Sequence, residues 1–381
     1  MRSLIPRPED FTSAARGPAT TARVGVWLGV AFTICFVTGF WSHLQYAPPA
    51  WLPLGPSPAW LYRVTQGLHV ISGVAAIPLL LVKLWSVFPR LFVRPPIAPI
   101  RAALLHGLER LSILLLIGAA IFQVVSGSLN IVQWYPWDFS FRATHEALAW
   151  VAIGALAVHV AVKLPTIRSA FATVDNPSAD DVGDGPSRRT VVRAALASSG
   201  LAVLLTAGQT VPGLRRISVF GVRDGDGPQG LPVNRTARAA GAVAAASDPT
   251  FALEVRSQGR LVTLTREQLA DLPQRTHQLP ITCVEGWSQT AEWTGPAVRD
   301  VLALVKAPEG SAVLVRSMQT RGAFRTSVLP AAYVADDRTL LALKLNGEDL
   351  SLDHGFPCRI IAPNRPGVLQ TKWVRSLEAR T

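Results

Sequence analysis

Apolar and polar positions are arranged in two different ways along this chain, and the change comes near residue 212. Before it, five runs of about 20 apolar residues, each long enough to cross a bilayer, cover residues 24–44, 67–88, 111–131, 143–164 and 191–211. After it, short alternating runs such as FALEVRS, RLVTL, SAVLVRSM, TLLALKLNGEDL and FPCRIIAP predict strands separated by turns. Only TREQLADL and GPAVRDVLALV read as helices there, and Asn346-Gly347 between apolar flanks predicts a hairpin. The pattern predicts an N-terminal all-α membrane bundle of five transmembrane helices and a C-terminal α+β domain dominated by mixed sheet.

The flanks of the runs support a membrane reading. Trp41, Tyr46, Trp51, Trp60, Tyr62, Trp134, Tyr135 and Trp137 crowd their ends as an interfacial belt does. Positive charge alternates between the connections. Arg2, Arg7, Arg16 and Arg23 precede the first run, Arg90, Arg94, Arg101 and Arg110 separate the second from the third, and Arg168, Arg188, Arg189 and Arg193 lead into the fifth. The intervening connections carry only Arg63 and Arg142. Positive loops stay inside, which predicts a multi-pass plasma-membrane protein. Its parts are a cytoplasmic tail (1–23), a four-helix domain (24–168), a cytoplasmic linker (169–190), a fifth helix (191–211) and an extracytoplasmic domain (212–381).

Composition narrows the chemistry. Charged residues make up 16% and apolar ones 49% of 381 residues, with a net charge of +12. The basic residues follow the loops and form no groove-like cluster, so nucleic acid is not an expected partner and membrane lipid is. Three cysteines with no C-x-x-C exclude a disulfide framework, zinc ribbons, iron–sulfur clusters and covalently attached haem. The stretch SRRTVVRAALASSGLAVLLTAG resembles a twin-arginine export signal; Arg188 and Arg189 also suit a plain positive-inside anchor.

The membrane half contains a repeat. VTGFWSHLQYAP (from Val37) matches VSGSLNIVQWYP (from Val125) at an offset of 88, with Gly39 on Gly127, Gln45 on Gln133 and Pro48 on Pro136. A doubled two-helix unit places equivalent side chains around a pseudo-two-fold axis. Five of the seven histidines also lie in this half: His43, His69, His106, His145 and His159. An imidazole at membrane depth is a functional candidate. His145 and His159 are 14 residues apart, about 40° from one another on one helix face and about 21 Å along the axis. By depth, His69 pairs with His145 near the outer surface, and His106 with His159 near the inner one. His43 is interfacial. One or two b-type haems between helices suit these pairs, each iron taking an imidazole from two helices. The span count and the 14-residue spacing resemble the cytochrome b subunits of formate dehydrogenase and nickel–iron hydrogenase. His106, at the inner entry to the third run, is the departure from that pattern.

The C-terminal half centres on Cys283 in LPITCVEGWSQTAEWTG. By itself a lone strand cysteine is a small buried hydrophobe, or a nucleophile if His277 or His354 served as base. The wider segment, TCVEGWS with LNGEDLSLDHGFPCRIIAPNRPGVLQTKWV, resembles the sulfite oxidase family, in particular the bacterial methionine-sulfoxide-reductase-type members, over residues 234–375. The resemblance implies a molybdopterin-binding fold in which Cys283 is the thiolate ligand of molybdenum beside a pyranopterin dithiolene. It carries pterin and phosphate roles to His354, Arg359, Gln370, Thr371 and Lys372, and more loosely to Asn234 and Ser317. Glu285 would relay protons near the metal, Trp287 and Trp293 would wall the site, and Cys35 and Cys358 have no catalytic role. Arg316, Arg321 and Arg325 are candidates for an oxyanion pocket.

Together these features predict a membrane-bound molybdenum oxidoreductase that transfers oxygen atoms outside the membrane. Electrons would pass through b haem to or from quinone or another carrier. Reduction of an S- or N-oxide, on a small molecule or a protein, is favoured over oxidation of sulfite or a similar anion. A membrane-anchored binding protein without catalysis is the alternative from another class.

Overall fold

A computed structural model of the chain describes residues 11, 13–49, 51–93, 99–172, 186–221 and 227–380. Arg2, Arg7, Arg94 and most of the 169–190 linker lie outside the described residues. The chain divides into two compact units, Met1–Phe40 with Leu68–Thr206, and Trp41–Gly67 with Ala207–Thr381.

Five long helices dominate the first half: α1 (Pro18–Tyr46), α2 (Leu61–Val87), α3 (Ile100–Ile131), α4 (Phe141–Ala172) and α5 (Arg188–Thr206). Five helices among the described residues are long and apolar enough to cross a membrane. Four of them outrun the apolar windows because polar ends continue the helix. The largest difference is at α3, which starts at Ile100 rather than 111 and so takes in Arg101, His106 and Arg110. Small residues let the helices approach: Ala31 on α1, Ala76 on α2, Ala120 on α3 and Ala195 on α5 share a buried cluster with Val24, Leu28, Leu79 and Leu80.

The second unit is built on strands. After the short helices α6 (Ala237–Ala240) and α7 (Val243–Ala246) come β1 (Ala252–Ser257), β2 (Arg260–Thr265) and α8 (Arg266–Asp271). There follow β3 (Gln274–Thr282), β4 (Ser288–Pro296), α9 (Val298–Ala303), β5 (Ala312–Ser317), β6 (Thr326–Leu329) and α10 (Ala331–Ala335). The last strands are β7 (Leu340–Ala342), β8 (Lys344–Leu345), β9 (Glu348–Asp349), β10 (Arg359–Ile361) and β11 (Val374–Arg380). Three sheets result, ordered β2-β1-β11-β5-β6, β10-β7 and β3-β4-β8-β9. β1 runs parallel to β11 while the other pairings are antiparallel, so the sheet is mixed as expected.

Local chemistry explains the elements. Thr265 and Gln268 form a reciprocal capping box that starts α8. Asn346 and Gly347 both take positive φ, as the predicted two-residue hairpin between β8 and β9 requires. Leu253, Val255, Val313, Val315 and Leu377 point from one face of the five-stranded sheet onto α9 and α10. A second core holds Ile281, Cys283, Trp287, Ala291, Trp293 and Leu345 around the β3–β4 hairpin.

Candidate functional site

Cys283 opens the five-residue loop between β3 and β4, whose last pair is Thr282↔Ser288. The loop is closed by two backbone bonds, from Cys283 N to Trp287 O at 2.9 Å and from Gly286 N to Cys283 O at 3.0 Å. Gly286 sits at φ +97°, a conformation that suits glycine. The sulfur is thus held by backbone geometry at the mouth of a hairpin, which is what a fixed metal ligand requires. Its 1% exposure puts it in the core, and burial, with the Glu285 carboxylate second, pushes the thiol well above its ordinary pKa. Glu285 is itself buried and accepts a hydrogen bond from Trp287 Nε1 at 3.0 Å.

Across the loop lies the segment around Gly367. Pro366 bridges to Thr282, and a Cβ on Gly367 would stand 2.9 Å from the Thr282 carbonyl oxygen, so only glycine permits this approach. A narrow cleft opens between these walls, lined by Asn234, Cys283, Trp287, His354, Arg359 and Lys372 among others. Sequence reasoning passed over Leu231, Pro232, Ile281 and Gly367, which also line it. Of these, Gly367 had a readable signal in NRPG.

Three basic side chains meet in this cleft. Arg359 is buried and donates Nη1 to His354 O at 3.0 Å and Nη2 to Gln370 O at 3.2 Å. Its guanidinium carbon lies 5.1 Å from the centre of the Trp293 ring. Among the described residues its buried Nε has no hydrogen-bond partner. Lys372 donates Nζ to Asp353 O at 2.8 Å and Arg235 O at 3.0 Å. His354 Nε2 lies 2.8 Å from Pro228 O. Burial lowers the pKa of all three, to about 9 for Arg359, about 7 for Lys372 and about 4 for His354. Mutual repulsion adds to this at Lys372 and His354, since each also feels Arg359.

The remaining predicted residues lie behind the cleft. Ser317 Oγ donates to Lys372 O at 2.8 Å and so supports the lysine's backbone. Gln370 is bonded inward, Nε2 to Arg365 O at 2.9 Å, and Thr371 Oγ1 meets Ser327 Oγ at 2.7 Å. The register shifts in β11 between Val374 and Ser376, two residues past Lys372, and a bulge of this kind re-aims neighbouring side chains. Arg316 and Arg325 line a separate open cavity of about 900 Å³ with Arg256 and Arg375. Arg316 is paired with Glu378 at 3.1 Å. Cys358 is core, as expected.

The helical unit brings His69 and His145 together, with ring centroids 6.2 Å apart and planes at 70°. His69 Nδ1 lies 2.9 Å from the Cys35 carbonyl, which can only accept, so this nitrogen carries the hydrogen and Nε2 has a free lone pair. His145 Nδ1 lies 3.0 Å from Ser126 Oγ. Such second partners orient imidazoles for a metal. The centroid separation is about what two imidazoles span when one metal ion joins them with bonds of about 2.0 Å. His106 and His159 make no ring contact with each other among the described residues. Instead Glu109 lies within electrostatic reach of both and forms an ion pair with Lys163.

Comparison with known proteins bears on this cleft. Residues 240–381 match the family profile described as the oxidoreductase molybdopterin binding domain. Nitrate reductase [NADPH] of Aspergillus niger is 35% identical over 92 residues, covering 23% of this chain and 11% of that one. Sulfite oxidase of Arabidopsis thaliana is 32% identical over 110 residues, or 24% of this chain and 28% of that one. A protein of Azospira oryzae named as a protein-methionine-sulfoxide reductase subunit, YedZ1, is 28% identical over 113 residues, or 30% of this chain and 42% of that one. The chain spans less than half the length of each of these relatives. Among solved structures, the sulfane dehydrogenase SoxCD from Paracoccus pantotrophus is similar at 24% identity and a TM-score of 0.32, over 34% of this chain and 38% of that one. Cys283, Trp287, His354, Arg359 and Lys372 of the cleft thus lie within the residues that match the molybdopterin-binding oxidoreductase profile.

Proposed function

We propose that the protein is a membrane-anchored molybdenum oxidoreductase that reduces an S- or N-oxide outside the membrane with electrons drawn through a b haem from quinol. The observation that carries this reading is the convergence of Cys283, His354, Arg359 and Lys372 on one cleft within residues 240–381. These residues fit a metal–pterin cofactor with a terminal phosphate. The thiol supplies a soft ligand, and the buried Arg359 with its unpartnered Nε, beside the half-buried Lys372, leaves a demand for an anion. When bound, the cofactor supplies oxygen-atom transfer and a two-electron change at the metal.

The chain's own residues do the rest. Cys283 binds as thiolate, and the backbone bonds of its hairpin fix the direction of the sulfur. Arg359, Lys372 and Asn234 hold the anionic end, and Ser317, Gln370 and Thr371 keep that wall in place from behind. Glu285, oriented by the hydrogen bond that its Oε2 accepts from Trp287 Nε1, would relay the proton for the oxygen that leaves the substrate as water. In the helical unit, His69 on α2 and His145 on α4 would hold one haem. His106 and His159 are the ligand pair of a second haem in this reading. The alternation of positive loops supports an N-terminus in the cytoplasm and a C-terminal domain outside.

Oxidation of sulfite or a related oxyanion is the second reading, and the open cavity lined by Arg256, Arg316, Arg325 and Arg375 is the feature that favours it. Metal analysis and visible spectroscopy of the purified protein test the common part. A preparation with neither molybdenum nor b-type absorbance refutes it. Separate addition of an oxide to the reduced protein and of sulfite to the oxidised protein then selects the direction.

A further inference from the structure

The connection between α1 and α2, with the first turn of α2, belongs to the second unit. Its polar groups converge on the residues that flank Cys283. Gln66, 4% exposed, donates Nε2 to the backbone carbonyl of Val284 at 3.3 Å. That carbonyl belongs to the residue directly after Cys283. On the other flank, Asn364 accepts Tyr62 N–H on Oδ1 at 2.9 Å and donates Nδ2 to Gly55 O at 2.9 Å. Two residues further on, Pro366 bridges to Thr282, the residue directly before Cys283. Arg63 adds a bond from Nη1 to Thr290 Oγ1 at 3.2 Å on β4.

A buried amide on a backbone carbonyl is also an ordinary docking contact. What separates Gln66 from a plain dock is its place in the chain. His69 stands three residues further along the same helix, about 4.5 Å of rise. Electrons tunnel more readily along covalent and hydrogen-bonded paths than across gaps. The path from the Cys283 sulfur through the Val284 peptide, the Gln66 amide and the α2 backbone to His69 contains one non-covalent step, the Gln66–Val284 bond.

We infer that Gln66 couples the metal bound by Cys283 to the haem bound by His69, so that single electrons cross at this hydrogen bond. The inference rests on the function proposed above. In the reducing direction the haem iron gives up one electron in each of two successive turns, ferrous to ferric. The two electrons and two protons convert R₂S=O to R₂S and water, breaking the S–O bond. With sulfite the flow reverses: water supplies the oxygen, and two electrons reach ferric haem one at a time.

The test uses the full chain in detergent, loaded with both cofactors. The dithionite-reduced protein is mixed with dimethyl sulfoxide, or the oxidised protein with sulfite, and the haem band is followed by stopped flow. Gln66→Leu is expected to slow the haem change by about tenfold or more. Metal content, haem spectrum, haem midpoint potential and direct oxidation by ferricyanide should stay as in the parent. Gln66→Glu, equal in size but lacking the donor at neutral pH, should behave alike and serves where Gln66→Leu loses metal. Parent-like rates in a variant with full cofactor content overturn the coupling role. If the parent haem responds to neither probe, the proposed function falls, and the coupling role with it.

Discussion

Ser126 Oγ stands 3.0 Å from Nδ1 of His145. Thr38 Oγ1, 88 residues earlier in the chain, stands 3.3 Å from Nδ1 of His69. The next residue in each case is a glycine facing the same ring. A Cβ on Gly39 would lie 3.1 Å from His69 Cε1, and one on Gly127 would lie 3.6 Å from His145 Cε1. The internal repeat is therefore a repeat of histidine surroundings, a hydroxyl at one ring nitrogen and a bare backbone beside the ring.

This arrangement predicts unequal outcomes for two like substitutions. Gly39→Ala puts a methyl inside ordinary contact distance of the His69 ring and should displace it, weakening or shifting the b-type absorbance of purified protein. Gly127→Ala places its methyl at ordinary van der Waals distance and should leave the spectrum close to the parent's. Equal effects at the two positions would mean that the rings are not held in this way.

Cys283→Ala removes one buried sulfur from the β3–β4 core. The cost to stability should be modest, about 1 kcal/mol, because the change is small and the backbone bonds of the hairpin do not involve the side chain. Molybdenum content should fall to background while the thermal midpoint moves by only a few degrees. Retained molybdenum would show that the metal is held by another group.

Much of this architecture is readable in local patterns. The five apolar runs become α1 to α5, the Asn346-Gly347 signal becomes a hairpin, and TREQLADL becomes a capped helix, because each depends on neighbours within a few residues. The extent of α3 is not readable from hydropathy, since Arg101, His106 and Arg110 are polar residues that continue the helix ahead of its apolar run. The cleft is only half readable. Cys283, His354, Arg359 and Lys372 carry charge or sulfur and stand out. The approach of Gly367 to Thr282 and the meeting of Thr371 with Ser327 join residues far apart in the chain, which no local pattern encodes.

Asn364 should be a point of weakness in the second unit. It is buried with φ +54°, accepts from Tyr62 N and donates to Gly55 O, while its own carbonyl accepts from Tyr333 OH at 3.2 Å. Asn364→Ala leaves a buried N–H and C=O unpaired and forces alanine into a left-handed conformation that asparagine tolerates better. A loss of about 2–4 kcal/mol follows, with faster protease cleavage between residues 47 and 60. An unchanged thermal midpoint and cleavage pattern would contradict this placement of the loop.

Lys372 makes the stability of the cofactor-free protein depend on pH in a definite direction. Burial first, then Arg359, brings its folded pKa to about 7 from 10.5. Below about 7 the amine is charged in both folded and unfolded chains and adds no slope. Above that value the folded form sheds its proton while the unfolded chain keeps one until 10.5, so stability rises with pH. His354, lowered to about 4 from 6.5, adds a rise of the same sign in its own window. Thermal midpoints of metal-free protein should therefore climb between pH 7 and 9, and Lys372→Met should flatten that part of the curve while leaving the lower window intact. An anion in the cleft gives the ammonium a counter-charge and raises its folded pKa. Cofactor-loaded protein should then lose the climb, and a loaded protein that kept it would place the phosphate away from Lys372.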